Sequence, residues 1–207
     1  MSRVPTDGAR GAGVNVRSLW RELPPAHRRW IVLNALIVTA VVNLMINAGL
    51  AWVGSAGEHR VPLWSVPLVE KPSTVVDTVG TFFLLPLITC LLVTTVARHD
   101  VAAGRLPPLG GATVAHALAA RLPGTRLRRG LVLGGLCGLV LGPVSVLVLA
   151  AIDFSGLTRG EFALYKAVLG VVLGAIVTPV IAVCGMADAP QPLEAAVPAA
   201  PEPRPAA

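Results

Sequence analysis

Charge is scarce in this sequence. Only 14% of the 207 residues are Asp, Glu, Lys or Arg, against about 25% in soluble domains. So few charges cannot clothe a water-facing surface, which excludes an ordinary soluble domain. Lysine is scarcer still. Of 17 basic residues only Lys71 and Lys166 are lysines. That arginine bias, with abundant Ala, Gly and Pro, is the composition expected of a GC-rich bacterial genome.

Cysteine is limited to Cys90, Cys137 and Cys184, far apart and each within an apolar stretch. The spacing excludes a disulfide framework and a zinc site, and the three read as small apolar filler. None of the four histidines (His27, His59, His99, His116) lies in an apolar segment. A membrane-embedded protease needs a Ser/His pair or metal ligands there. The sequence also has no Gly-rich phosphate loop ahead of a Lys, no His-Glu-x-x-His and no Gly-x-Ser-x-Gly elbow. No catalytic residue, cofactor or metal ligand is therefore expected, and the chain is read as non-enzymatic.

What the sequence has is apolar length. Four segments, at about 30–53, 74–97, 130–152 and 161–184, each reach the ~20 residues that cross a bilayer as a helix. The fold class is an all-α integral membrane protein of four transmembrane helices. Residues 1–27 form a basic tail, 28–185 the four-helix membrane domain, and 186–207 a Pro/Ala-rich tail expected to be disordered. A cleaved signal peptide does not fit segment one, because its polar lead is too long and its apolar run exceeds 7–15 residues.

Between the segments, Val16 to Leu23 is expected as a short interfacial turn with Leu19, Trp20 and Leu23 towards lipid. Trp30 and Trp52 are expected in the aromatic belts at the two ends of segment one. Residues 54–73, broken by Pro62, Pro67 and Pro72, are expected as a surface loop anchored by Trp64. Thr113 to Leu122 is expected as a short surface helix.

Segment three carries Gly130, Gly134, Gly138 and Gly142 at every fourth position, and segment four repeats the spacing at Gly170 and Gly174. In lipid such a stripe lets backbones approach closely. It is expected to pack segments three and four together as a tight hairpin, or otherwise to meet a second copy of the protein. Pro86, Pro143 and Pro179 lie inside segments two, three and four and are expected to kink them.

Basic residues alternate along the chain. There are six before segment one, two in the first loop, six in the second loop, two from the following turn into segment four, and one in the tail. The positive-inside rule reads this as both termini in the cytoplasm. The expected location is a bacterial inner membrane, with the lipid bilayer as the first partner. The arginines are assigned to topology and anionic lipid rather than to nucleic acid. Arg28-Arg29-Trp-Ile-Val-Leu aligns with Arg128-Arg129-Gly-Leu-Val-Leu, and Leu85-Pro86-Leu-Ile-Thr-Cys90 resembles Thr178-Pro179-Val-Ile-Ala-Val-Cys184. Both hairpins start on the same side, so such a repeat is a parallel one.

With that topology, one polar cluster falls in the outer half of the membrane: Asn43, Asn47, Asp77, Thr81, Asp153 and Lys166. Charge at this depth is costly unless it faces the bundle and finds a partner. Two readings follow. In one the cluster is interhelical glue, with Lys166 snorkelling and Asp77 capping its helix. In the other it lines a polar vestibule, with Asp77 and Lys166 as counter-ions. The functional expectation is a structural or accessory membrane component acting through helix packing and partners, either a homo-oligomer or another membrane protein. The alternatives are a small oligomeric transporter or permease-like protein, and, more weakly, a lipid-acting enzyme.

Overall fold

The computed structural model describes residues 16–65, 72–110, 113–151 and 156–189. Two short helices, α1 (Val16–Glu22) and α2 (Pro25–Trp30), lead into a π-wound stretch, Ile31–Val38, and then α3 (Thr39–Gly54). A two-residue strand β1 (Arg60–Val61) precedes the long α4 (Thr74–Ala102). Then come α5 (Thr113–Arg121), α6 (Arg126–Ala151), β2 (Leu157–Thr158) and α7 (Arg159–Ala187). Among the described residues four spans are long and apolar enough to cross a membrane: Pro25–Gly54, α4, α6 and α7. Their outward faces are apolar, with Leu50, Leu139 and Leu147 among the most exposed residues, as a lipid-facing surface requires.

The helix boundaries have local causes. Ser73 caps α4, its hydroxyl accepting from Val76 N at 3.4 Å. Thr158 and Glu161 form a reciprocal capping box that starts α7 at Arg159. This Thr-x-x-Glu pattern satisfies two orphan N–H groups, which is why α7 begins ahead of the expected position 161. Strands β1 and β2 pair antiparallel, Arg60 with Thr158 and Val61 with Leu157. This ribbon needs Gly156 (φ 108), where a Cβ would sit 2.6 Å from the Val61 carbonyl oxygen. Two residues per strand are too few for an alternating pattern to show in the sequence.

Contacts between the helices fix their order and sense. α7 packs on α3 and on α4, and α6 packs on the far side of α4, giving the array α3–α7–α4–α6. Asp77 meets Lys166 and Thr94 meets Gly185, so α4 and α7 run parallel. Asn47 meets Gly170 and Asn43 meets Gly174, while Gly130 meets Leu87 and Gly142 meets Val79. Thus α3 and α6 run antiparallel to the central pair. Of the apolar stretch of each span, 56% is buried in α7 and 44% in α4, against 22% in the first span and 11% in α6. The core is therefore α4 and α7, flanked by one helix on each side.

Several expectations are corrected here. The glycine face of α6 meets α4 rather than α7. Gly134 sits where a Cβ would be 2.4 Å from the Phe83 carbonyl oxygen, and Gly130 where it would be 3.1 Å from Leu87 Cα. The hairpin expected from segments three and four is therefore not the packed pair. Short connections made it seem so, but the glycine stripe admits the α4 backbone at Phe83 and Leu87 and the side chain of Val79. Trp30 is buried, its Nε1 donating to Asp100 Oδ2 at 2.8 Å, which departs from its expected place in an aromatic belt. Trp52 is exposed and covered by the Arg159 guanidinium at 4.0 Å. Leu23, just after α1, is 1% exposed and belongs to the core, so of Leu19, Trp20 and Leu23, all expected to face lipid, only Trp20 is exposed. Pro86, Pro143 and Pro179 lie inside α4, α6 and α7, and each helix continues past its proline.

Candidate functional site

The site lies at the ribbon end of the array, where α3, α4 and α7 come together. α3 and α4 each pack on α7 rather than principally on one another. A gap is left between them, floored by α7. It forms a cavity of about 400 Å³ whose lining includes Asn43 and Asn47 of α3, Asp77, Gly80 and Thr81 of α4, and Lys166 of α7. Five of the six polar residues expected to cluster are thus brought to one cavity. The sixth, Asp153, lies outside the described residues. The rim is apolar. Ile46, Leu50, Leu84 and Ile88 line the cavity and are each at least half exposed on the outer surface, so the cavity opens sideways between α3 and α4.

Lys166 is the centre of the floor. It lies two turns into α7, and its side chain is 4% exposed. Its ammonium pairs with the Asp77 carboxylate and donates to the Thr81 hydroxyl and to the Asp77 backbone oxygen, the last at 3.2 Å. An ammonium has three donors, and all three are engaged. Burial of this cation is tolerable because its partner and hydrogen bonds come with it. The residue does not snorkel. Thr81 has its one donor committed, donating to the Asp77 backbone oxygen at 2.8 Å while accepting from Lys166. One turn earlier, Thr78 donates to the Thr74 carbonyl at 2.6 Å and meets the Tyr165 hydroxyl at 2.9 Å. Asp77 differs from these. Its side chain is 44% exposed, and a carboxylate has about four lone-pair sites, so acceptor capacity remains beyond what Lys166 takes.

The α3 wall is held by two notches. Asn47 donates to the Asn43 backbone oxygen at 2.9 Å. A Cβ on Gly170 would lie 2.5 Å from Asn47 Nδ2, and one on Gly174 would lie 2.3 Å from Asn43 Nδ2. The α7 glycines are therefore seats for asparagine side chains. Reading them as glycine-on-glycine contacts missed this, although the matching four-residue spacings of Asn43/Asn47 and Gly170/Gly174 carried the signal. Asn43 Nδ2 and Thr178 Oγ1 are buried there without hydrogen-bond partners among the described residues.

A second polar group lies at the other end of the array. Arg129 is fully buried and donates to Asp188 at 2.6 Å, and Arg98 reaches the same carboxylate at 3.3 Å. Sequence reasoning assigned Arg129 to topology and lipid and missed Asp188. The structure shows it tying α6, α4 and the end of α7. His27, which was expected in a tail, is fully buried and meets the Pro107 carbonyl at 3.0 Å. The three cysteines are unpaired, and among the described residues no His, Cys, Asp or Glu group is disposed to hold a metal. Compared with protein-family models, curated proteins and solved structures, the chain matches none of them.

Proposed function

We propose that this chain is an accessory protein of a bacterial inner membrane that binds another membrane-embedded molecule in the gap between α3 and α4. In this reading it spans the bilayer four times with both termini in the cytoplasm. The alternation of basic residues along the chain supports that orientation. It places the ribbon, and with it the polar floor, towards the outer face. The observation that carries the function is the cavity itself. Three helices hold a polar floor at depth in the bilayer, and an apolar mouth opens sideways. Polar groups at such depth are expensive and mark sites by default. The committed donors of Lys166 and Thr81 suit a fixed binding floor more than a moving pathway. Pocket volumes of about 300–1,000 Å³ are usual for small-molecule sites, and this one lies near the lower end.

The array order also supports the parallel repeat. The first helix of each hairpin packs on the second helix of the other, α3 on α7 and α6 on α4, and the two second helices meet at the centre. A two-fold relation about an axis between α4 and α7 generates this pattern.

The test is photo-cross-linking in living cells. A benzophenone amino acid replaces Leu84 at the mouth, or Leu139, which is 76% exposed on α6. A discrete adduct at 84 that is missing at 139 is expected. Identical behaviour at the two positions overturns the reading.

A further inference from the structure

We infer that the occupant of the α3–α4 gap is an uncharged, hydroxyl-bearing lipid, with its chain in the apolar mouth and its hydroxyl donating to the Asp77 carboxylate. The inference rests on the binding role proposed above and names its ligand class. Size is the first argument. The cavity, of about 400 Å³, lies within the usual range for small-molecule sites. That is the size class of a site for one small molecule, such as a single-chain lipid.

Access is the second argument. Ile46, Leu50, Leu84 and Ile88 flank the opening and are exposed on the outer surface of the helices, so a molecule already in the bilayer reaches the floor without crossing water.

The floor decides the headgroup. Every Lys166 donor is already taken by Asp77 or Thr81, so an anionic headgroup has to displace the Asp77 carboxylate. A cationic headgroup adds an uncompensated charge to a neutral pair in low dielectric, which is costly. The remaining polar valency in the pair is acceptor capacity on Asp77, which is 44% exposed. An uncharged donor meets it at no cost in charge, and a hydroxyl beside a hydrocarbon chain is such a group. Gly80 lines the same cavity with nothing within 4 Å of where a Cβ would sit. The mouth therefore has unfilled width beside Asp77.

The experiment uses the full chain in phosphatidylcholine vesicles. The probe is a monoacylglycerol with a diazirine in its acyl chain. An alkyl sulfate and an alkyltrimethylammonium with the same diazirine chain serve as charged comparators. The monoacylglycerol is expected to label peptides of α3 and α4 at least fivefold more than either comparator. Gly80→Phe fills the mouth and is expected to reduce that labelling to the comparators' level. Ile88→Trp, at a half-exposed position, provides the same block should Gly80→Phe disturb folding. Equal labelling by the three probes, or labelling that persists in the filled, folded variant, overturns the inference. A protein-sized adduct at position 84 in cells overturns the lipid while leaving the binding role standing. No adduct at 84 overturns both.

Discussion

The Lys166 side chain is 4% exposed and that of Asp77 is 44% exposed, so loss of either partner leaves the other in a different position. Without Asp77 a buried ammonium keeps only the Thr81 hydroxyl and a backbone oxygen. Breaking a buried pair in this way costs about 3 kcal/mol or more. Without Lys166 the Asp77 carboxylate is less buried and still lies in the first turn of α4, where the helix N-terminus stabilises it, so the loss is smaller. Asp77→Ala is therefore expected to destabilise the protein well beyond Lys166→Met, as read from denaturant unfolding in detergent micelles. Equal losses contradict the burial asymmetry. These residues were legible in the sequence because a charge inside an apolar run has few places to go. Counting their depth from the segment ends was enough to put Asn43, Asn47, Asp77, Thr81 and Lys166 together. The Arg129–Asp188 tie was not legible, since Arg129 stands in a run of basic residues that looks like a topology signal and Asp188 lies just past the end of α7.

At the scale of the helix, identical glycines have unequal jobs. A Cβ at Gly134 would meet the Phe83 backbone oxygen at 2.4 Å, whereas at Gly138 the nearest atom, Phe83 Cβ, is 3.9 Å away. Backbone cannot yield as a side chain can, so Gly134→Ala separates α6 from α4 while Gly138→Ala fits. The α7 notches behave differently because what fills them is an amide. Gly174→Ala collides with Asn43 Nδ2 and is expected to cost about 1–3 kcal/mol, the range for overpacking. Truncating the intruder removes the clash, so Asn43→Ala in the Gly174→Ala background is expected to restore stability, a coupling that a double-mutant cycle reads directly. Additive losses show that the two side chains do not share the notch. The sequence announced the glycine stripe but not its partner, since a smooth face accepts any complementary surface. On α4 the stripe meets Val79, Phe83 and Leu87, with the backbone itself at the last two. The π-wound Ile31–Val38 was equally hidden. Its residues are apolar apart from Asn34, and only the hydrogen-bond register distinguishes it.

At the scale of the molecule, charge and packing agree on one arrangement. The array places α2 and the end of α7 together, joined through Asp100, Arg98 and Asp188, and this end carries Arg28, Arg29, Arg98, Arg105, Arg126, Arg128 and Arg129. The ribbon end carries Arg60 and Arg159. Charge distribution was legible from the sequence because the positive-inside rule acts on loops, whose composition needs no knowledge of packing. The order α3–α7–α4–α6 was not, because each central contact joins segments far apart in the chain. The orientation has a direct test. With the native cysteines replaced by alanine, single cysteines replace His59 at the ribbon end or Ala103 at the other, both exposed positions. A membrane-impermeant thiol reagent on intact cells is expected to label position 59, and position 103 only after permeabilisation. The reverse pattern turns the molecule over, places the arginine-rich end outside, and moves the polar floor to the inner half of the bilayer. The cavity would then open to lipids of the cytoplasmic leaflet.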